Sequence, residues 1–262
     1  MTGREQQTRL ARWPFRPAAG RPLLVAHRGG AGEAPENTLE ALAAAARAGA
    51  DAVEIDVCAA RGGTLVVTHD VQLAVAHDAP GLRAARPEVP RLDEALAWIA
   101  AEAPGLAVHL DLKTAGAEAA VAAAVRRHGL LARAQVSATS AAMLRAVAAA
   151  EPALPRAWGY PHDRHGVSGH AALAPAVSVA LLGLRAALPW RAAGMARAAA
   201  AQVLAVERRL VSAALIRRAR AAGLAVHVWT VDGPAEAHAL ALLGVDALVT
   251  DLPRVLAARM PA

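Results

Sequence analysis

The segment GADAVEIDV, from Gly49 to Val57, contains the pattern on which the fold prediction rests. A glycine ends a helical stretch, and an apolar strand that carries acidic residues follows it. The pattern recurs near the end of the chain as GVDALVTD from Gly244. In the same way, GLAVHL from Gly105 recurs as GLAVHV from Gly223. This second spacing corresponds to about four strand–helix units of roughly 30 residues, so the third and seventh predicted strands should face each other across a closed sheet.

Apolar runs of strand length alternate with alanine-rich helical stretches along the whole chain. Near-continuous apolar strands joined by helices are typical of a parallel sheet covered by helices. Eight such units favour a closed barrel over an open sheet, so the predicted fold class is α/β, a single-domain TIM (β/α)8 barrel. The predicted strands are Leu23–His27, Ala52–Val57, Ala107–Leu112, Ala134–Ala138, Arg156–Tyr160, Val203–Val206, Ala225–Thr230 and Ala247–Thr250.

The length of 262 residues fits one such barrel. Residues 1–20 are polar and arginine-bearing, lack the apolar core of a secretory signal, and are predicted to form a flexible N-terminal arm before a barrel over 21–262. Residues 71–90 contain three prolines and are predicted to be a short insertion after strand 2. The stretch from Pro161 to Arg197 is interpreted as a loop followed by an amphipathic helix. Its three histidines are interpreted as exposed loop residues rather than a metal cluster.

The composition excludes several classes of protein. With 56% hydrophobic and 19% charged residues, the chain can bury a large core and is not expected to be disordered. The single cysteine, Cys58, excludes an intramolecular disulfide scaffold and a zinc site of several thiolates, and it favours a reducing, cytoplasmic location. The longest apolar stretch, Ala171 to Leu184, is shorter than the roughly 20 residues that span a bilayer, so no stable membrane insertion is expected.

The net charge of +6 is carried almost entirely by arginine, because Lys113 is the one lysine. The arginines are scattered and few aromatic residues are available for base stacking, so no nucleic-acid partner is expected. Binding of some other polyanion by the arginine surface stays open as a weaker alternative. In an arginine-biased chain, a lone lysine indicates a position that needs a compact point charge.

The unusual polar residues fall where predicted strands end, and the carboxyl-terminal rim is where parallel barrels carry their catalytic groups. Glu54 and Asp56 alternate along the second strand and therefore share a face. The other candidates are His27 and Arg28 after the first strand, His69 and Asp70 after a short apolar run, His109, Asp111 and Lys113 on the third strand, His227 and Trp229 on the seventh, and Asp251 after the eighth.

Three carboxylates converging at one rim need compensating positive charge. A set of oxygen ligands favours Ca²⁺ or Mg²⁺ over zinc. The alternative is that Glu54 and Asp56 form salt bridges with Arg28 or Lys113. His27 and His69 could likewise be structural histidines. The combination of two imidazoles, carboxylates and fixed cations favours general acid–base catalysis on an anionic ester.

A glycine-rich turn, HRGGAGEAPENT, connects the first strand to the first helix from His27 to Thr38. Asn37 is predicted to cap the helix that starts at Thr38, and Glu40 to complete a capping box. A helix N-terminus beside Arg28 would also offer backbone donors to a phosphate group.

These motifs together resemble the glycerophosphodiester phosphodiesterase family, in particular its bacterial members. The resemblance covers the chain from about Leu23 to Pro253. The matching segments, in the order of the family, are HRGGAGEAPENT, VEIDV followed by LVVTHD, VPRLDEAL, HLDLK, VHVWTVD and GVDALVTDLP. The resemblance implies a TIM barrel with His27 and His69 as the acid–base pair, a divalent cation (Ca²⁺ or Mg²⁺) held by Glu54, Asp56 and Asp111, phosphate contacts from Arg28 and Lys113, and Trp229 on the glycerol side.

Asp111 departs from the family pattern, which usually has glutamate there. The carboxylate is shorter by one methylene and could reach a metal through water. The implied activity is metal-dependent hydrolysis of a small glycerophosphodiester to sn-glycerol 3-phosphate and an alcohol, in lipid and glycerol metabolism. The nucleophile is either water or the glycerol hydroxyl, and analogy with related barrel phospholipases favours the hydroxyl. The headgroup, the metal and the oligomeric state do not follow from the sequence.

Two alternative functions stay open. A lysophospholipase D-type lipid phosphodiesterase would use the same site, with the apolar segment from Val177 to Trp190 lining a channel for the longer substrate. A catalytically inactive barrel would only bind an anionic metabolite.

Overall fold

The computed structural model describes residues 21–161 and 174–260, with the side chains of 174–178 excepted. The predicted N-terminal arm, residues 1–20, lies outside the described residues. So do the three histidines predicted to lie in an exposed loop, His162, His165 and His170.

The described part of the chain alternates strands and helices. The strands are β1 (Leu23–Ala26), β2 (Ala52–Ala59), β3 (Leu65–Val67), β4 (Ala107–Leu112), β5 (Ala134–Ala138), β6 (Arg156–Tyr160), β7 (Val203–Glu207), β8 (Ala225–Trp229) and β9 (Ala247–Thr250). The helices are α1 (Leu39–Arg47), α2 (Val71–Ala76), α3 (Ala79–Ala85), α4 (Leu92–Glu102), α5 (Glu118–Arg127), α6 (Ala141–Ala150), α7 (Ala174–Ala198), α8 (Ala213–Ala221), α9 (Pro234–Leu243) and α10 (Pro253–Ala257). Short 3₁₀ turns follow β1 (His27–Gly29) and β7 (Arg208–Leu210).

The strands form one closed sheet. Parallel pairings run in the order β1-β9-β8-β7-β6-β5-β4-β2, and β1 also pairs with β2, which closes the ring. Only β3, among the described strands, is antiparallel, and it pairs with β2. The prediction of a TIM barrel is therefore confirmed. All eight predicted parallel strands are present, and their ends differ from the predicted ones by at most two residues.

Successive side chains of each strand point alternately outward and inward, so the barrel has two separate apolar regions. Val53 and Ile55 of β2 pack outward, in the large core between the barrel and its helices. Ala52 points inward and belongs to a second cluster of mostly small residues inside the barrel. Glu54 and Asp56 are therefore directed to the interior, above Ala52. Small residues at the closed lower end leave the polar side chains to fill the upper end.

Strands β4 and β8 face each other, as the sequence repeat predicted. The imidazole rings of His109 on β4 and His227 on β8 lie with their centroids 6.3 Å apart, edge to face. Both side chains are buried. Burial lowers the pKa of His109 to about 4, so its ring is neutral at physiological pH.

A small excursion follows β2. The hairpin of β2 and β3 leads into α2 and α3, which lie within the interval 71–90 and pack with the hairpin around Cys58, Val66, Ala74 and Leu82. At the end of β3, the Thr68 backbone N–H donates to the carbonyl oxygen of Asp56 at 3.0 Å. This hydrogen bond brings the residues after β3 against the rim end of β2.

Helix α7 lies in the stretch predicted to form a loop and an amphipathic helix, but its described part differs from an amphipathic helix because large apolar residues lie on both its buried and its exposed sides. Leu181, Leu188 and Ala192 are buried in the main core, whereas Leu182 and Trp190 face solvent. None of the helices in the described ranges is both long enough and apolar enough to cross a membrane.

Candidate active site

Three acidic side chains converge at the carboxyl-terminal end of the barrel. Glu54 and Asp56 lie on the inner face of β2, and the β2–β4 register places Asp56 directly beside Asp111. One oxygen of each carboxylate lies within 4.8 Å of the others. Glu54 is 5% exposed and Asp56 is 1% exposed. The fold thus brings together the three side chains that the sequence singled out as possible metal ligands.

Two cations compensate part of this charge. Lys113 Nζ lies 2.8 Å from Asp56 Oδ1 and also contacts Asp111. Arg28 Nε lies 3.3 Å from Asp56 Oδ2, and Arg28 Nη1 donates to Glu36 Oε2 at 2.9 Å. The salt-bridge alternative considered for Asp56 is therefore realised within the acidic cluster. The same carboxylates also lie close enough together to hold a metal ion.

The turn after β1 orients two of the carboxylates. Arg28 has a left-handed backbone, with φ of 50°, and its N–H donates to Glu54 Oε2 at 2.8 Å. Asn37, also left-handed with φ of 60°, donates from Nδ2 to Asp56 Oδ2 at 2.8 Å and accepts from the Asp56 backbone N–H at 3.0 Å. Asp56 is therefore fixed at its backbone and its side chain by one asparagine.

The predicted capping role of Asn37 is wrong. Thr38 is the N-cap of α1, and its Oγ1 accepts from the Ala41 N–H at 3.2 Å. Asn37 turns its side chain away from the helix because both ends of its amide are satisfied by Asp56. Glu40 lies in the first turn of a helix that already has this threonine cap.

The pKa values show that negative charge dominates the cluster. Burial, and then the nearby charge of Asp56, raises the pKa of Glu54 to about 7. Burial lowers the pKa of Lys113, but Asp111, Asp56 and Glu54 more than offset it, and the pKa lies above its ordinary value. A cation bound among these oxygens would relieve the repulsion that makes Glu54 hard to ionise.

Asp111 is held by two donors. Lys113 donates to Oδ2 and the buried hydroxyl of Ser137, on β5, donates to Oδ1. Burial raises the pKa of Asp111, but Lys113 and Ser137 together outweigh burial and hold that pKa below its ordinary value. Ser137 was not among the residues predicted from the sequence to belong to the site. Its inward position on the strand next to β4 is the signal that could have identified it.

His27 is oriented by a second residue that the sequence analysis left without a role. His27 Nδ1 lies 2.7 Å from Asp251 Oδ1, at the end of β9. Asp232 in turn accepts from the Asp251 backbone N–H at 2.8 Å and from Thr250 Oγ1 at 2.9 Å. Burial lowers the pKa of His27, but the hydrogen bond to Asp251 and the charge of Glu54 outweigh it. The pKa of His27 therefore lies above its ordinary value.

His69 follows β3 and is exposed. Partial desolvation lowers its pKa, and the charges of Arg28 and Lys113 add to that effect against the opposing charge of Asp56. These interactions place His69 in the electrostatic field of the same cluster. The neighbouring Asp70 caps α2 by accepting from the Leu73 N–H at 2.8 Å, so its part is structural.

Trp229 ends β8 at the same rim. It is half-buried, packs on the small residues inside the barrel, and lies in register with Glu207 of β7. Glu207 accepts from the backbone and side chain of Arg209 at 2.9 and 2.8 Å.

The fold and the site together define a TIM barrel whose rim carries three carboxylates that could hold a metal ion, two fixed cations and two histidines. The model of the glycerophosphoryl diester phosphodiesterase family matches residues 27–129 and 165–255, more than half of the chain. The chain belongs to this family.

Individual relatives agree with this assignment. A segment of 48 residues is 48% identical to the glycerophosphodiester phosphodiesterase of Caldanaerobacter subterraneus subsp. tengcongensis, covering 18% of this chain and 20% of the relative. The curated relatives are matched over less than a quarter of their length.

Solved structures show the same fold over almost the whole chain. The glycerophosphodiester phosphodiesterase from Agrobacterium tumefaciens str. C58 superimposes with a TM-score of 0.68 at 23% identity, covering 90% of this chain and 99% of that one. A phosphodiesterase from Oleispira antarctica, in complex with the product sn-glycerol-3-phosphate, gives a TM-score of 0.70 at 21% identity, covering 92% and 98%.

Proposed function

We propose that the protein is a phosphoric diester hydrolase that cleaves glycerophosphodiesters to sn-glycerol 3-phosphate and an alcohol. The observation that carries this proposal is the convergence of three carboxylates, two fixed cations and two histidines at one end of the barrel. Family membership supports the substrate class. The product bound to the related phosphodiesterase of Oleispira antarctica supports the same assignment.

Glu54, Asp56 and Asp111 would hold a divalent cation, Ca²⁺ or Mg²⁺. Their oxygens lie within 4.8 Å of one another, and hard cations prefer all-oxygen ligand sets. When bound, the cation supplies positive charge that stabilises the phosphoryl oxygens of the transition state. Asp111 would contact the cation in a different way from Glu54 and Asp56. Because its side chain is one methylene shorter than the glutamate usual in the family, we propose that it contacts the cation through water.

The two histidines would divide the proton transfers. The pKa of His27 is raised, so His27 would carry the proton that the leaving alkoxide receives. The pKa of His69 is lowered, so its neutral ring would accept the proton of the attacking hydroxyl. Environments that push two pKa values apart are the usual way in which a site separates an acid from a base. The attacking hydroxyl would be that of the substrate glycerol, which gives a transient cyclic phosphate, or that of water.

Asp251 would act through His27. Its carboxylate engages Nδ1, which leaves Nε2 as the atom that holds the transferable proton. Arg28 and Lys113 would contact the phosphate, because each lies against the buried acidic cluster with part of its side chain exposed. Trp229 would line the glycerol side of the mouth.

The lysophospholipase D alternative is less well supported. Val179, Leu182 and Trp190 point to solvent, so this part of the apolar segment does not line a channel into the barrel. The inactive-barrel alternative also finds little support, because each proposed acid, base and cation position is filled by a residue that can perform the role.

The direct test is turnover of glycerophosphocholine with added Ca²⁺ or Mg²⁺, and then with EDTA. We expect EDTA to abolish release of glycerol phosphate. We expect His69→Ala to lose at least about a hundredfold in kcat with an unchanged circular dichroism spectrum, the usual loss for a general base. His238→Ala, at an exposed position on α9, is the matched control. Full activity in EDTA, or in His69→Ala, would refute the proposal.

A further inference from the structure

We propose that the outer side of α7, together with the adjoining side of α8, docks the protein on an anionic lipid surface. We call this surface the docking face. Its members are exposed, and they are either large and apolar or arginine: Val179, Leu182, Trp190, Arg185, Arg191, Arg197, Arg217 and Arg218. The proposal goes beyond the hydrolase function and does not depend on it.

The apolar part of the docking face is a stripe along α7. Val179, Leu182 and Trp190 are 70%, 65% and 73% exposed. Their helical spacing places them on one side, opposite the buried stripe that contains Leu188 and Ala192. A stripe of this kind on the outside of a barrel helix contributes nothing to the core. It exposes to water the apolar surface that a membrane interface would cover.

The charge of the docking face is uniform. In the described parts of the two helices, α7 and α8 carry six arginines, all exposed, and neither helix carries an aspartate or glutamate. The chain as a whole has 22 acidic residues, and none of them lies on these two helices. The Arg218 guanidinium carbon lies 3.4 Å from the centre of the Trp190 ring. This cation–π contact couples the apolar stripe to the arginines of the neighbouring helix.

Anionic lipid fits this combination better than the other possible occupants. Arginine binds phosphate headgroups, and a tryptophan with aliphatic neighbours inserts at the level of the headgroups. A second copy of the same face would bring two sets of five arginines together. A nucleic acid would bury the aliphatic residues against phosphates and leave a single exposed tryptophan for base stacking.

Helix α7 lies close to the mouth of the barrel. The helix follows β6, whose carboxyl end lies at the rim, and it packs against the 3₁₀ turn Arg208–Leu210 at the rim end of β7. Docking through this face would therefore hold the mouth of the barrel beside the lipid surface, where lipid-derived diesters are released.

The test is flotation of the full chain with vesicles of phosphatidylcholine alone or with about one third phosphatidylglycerol. We expect binding to the anionic vesicles only, weakened by salt. Leu182→Ser should weaken it about tenfold, as expected for the loss of one buried leucine. Leu242→Ser on α9, where the leucine is 76% exposed, is the matched control and should leave binding unchanged.

A second variant tests the contribution of the arginines to vesicle binding. Arg185→Glu with Arg191→Glu should weaken vesicle binding at least about tenfold, since each arginine near an anionic surface contributes about fivefold. Arg47→Glu with Arg61→Glu, both exposed and far along the chain from α7, should have a much smaller effect. Turnover of soluble glycerophosphocholine without vesicles should be the same in every variant, so loss of docking and loss of hydrolysis are separable.

Three results would overturn the proposal. One is absence of binding to anionic vesicles at low salt. Another is binding that Leu182→Ser and Leu242→Ser weaken equally. The third is retention on heparin at physiological salt without vesicle binding, which would assign the arginines to a soluble polyanion.

Discussion

Single hydrogen bonds decide how the candidate site can work, and the Asp251–His27 pair is the clearest case. At 2.7 Å the carboxylate fixes the ring and raises the pKa of His27 against the effect of burial. Nothing in the local sequence connects residues 224 positions apart. The pairing arises because β9 lies beside β1 in the closed barrel.

Asp251→Asn should therefore lower kcat by about a hundredfold while KM changes little. It should also shift the alkaline limb of the pH–rate profile to lower pH, because without the carboxylate His27 loses its proton at lower pH. The measurement is kcat against pH, with the surface variant Asp93→Asn as control. An unchanged alkaline limb would show that Asp251 does not act through His27.

Asp111 can be tested by restoring the longer side chain. If Asp111 contacts the cation through water, Asp111→Glu should change the Kd for Ca²⁺ or Mg²⁺ measured by titration calorimetry. Ser137→Ala should change it in the same assay, because it frees one oxygen of Asp111. Identical Kd values in both variants and the unaltered protein would place Asp111 outside the cation site.

Glu54 makes stability depend on pH. Its pKa is raised from 4.5 to about 7 by burial and by Asp56, so the folded state holds a proton that the unfolded state has released. The contribution of Glu54 to the free energy of unfolding of the metal-free protein should therefore fall as pH rises from about 4.5 to about 7, by roughly 3 kcal/mol. The lowered pKa of His109 contributes in the opposite sense over much of this window, so the Glu54 contribution is read from the difference between the unaltered chain and Glu54→Gln. His27, whose pKa is also raised, adds a contribution of the same sign near its own titration.

The measurement is urea unfolding of EDTA-treated protein at several pH values in that window, for the unaltered chain and for Glu54→Gln. The difference in free energy of unfolding between the two proteins should change across this window, because the variant lacks the Glu54 contribution. Cation affinity should rise over the same window, because binding needs the ionised carboxylate. The same pH dependence of the free energy of unfolding in the unaltered chain and in Glu54→Gln would contradict the assignment.

At the scale of elements, the sequence predicted the strands and helices that local residue patterns determine. The eight parallel strands could be predicted because each is a near-continuous apolar run. The internal repeat correctly predicted that the third and seventh of them face each other across the barrel. Asn37 was wrongly predicted to be a helix cap because an asparagine before a helix usually caps that helix. In the structure, the Asn37 side-chain amide instead forms hydrogen bonds with Asp56. Ser137 and Asp251 were missed as partners because their contacts depend on the register between strands.

Asn37 and Thr38 are neighbours with separable roles. Thr38→Ala should lower the free energy of unfolding by about 1 kcal/mol, the usual value of a helix cap, and leave cation affinity almost unchanged. Asn37→Ala should weaken cation binding as well, because Asp56 loses two hydrogen bonds. Chemical denaturation and calorimetry on the two variants distinguish these outcomes. Equal effects on cation affinity would contradict the division of roles.

At the scale of the whole molecule, closing the barrel is what creates the site. Ion pairs and hydrogen bonds link β1, β2, β4, β5 and β9 at one rim, whereas the opposite end of the interior is filled by small apolar residues. The sequence could place these groups at strand ends, but only closure of the ring specifies that they share one mouth. The proposed hydrolysis therefore requires the cation and the phosphate to bind in the same mouth.

The most direct measurement is the affinity for sn-glycerol 3-phosphate, by titration calorimetry, with and without the divalent cation. A shared mouth requires coupling between the two ligands. We expect the product to bind at least about tenfold more weakly in EDTA, and Glu54→Gln to remove that difference. Equal affinity with and without the cation would mean that the carboxylate cluster and the phosphate site are separate, and would contradict the account.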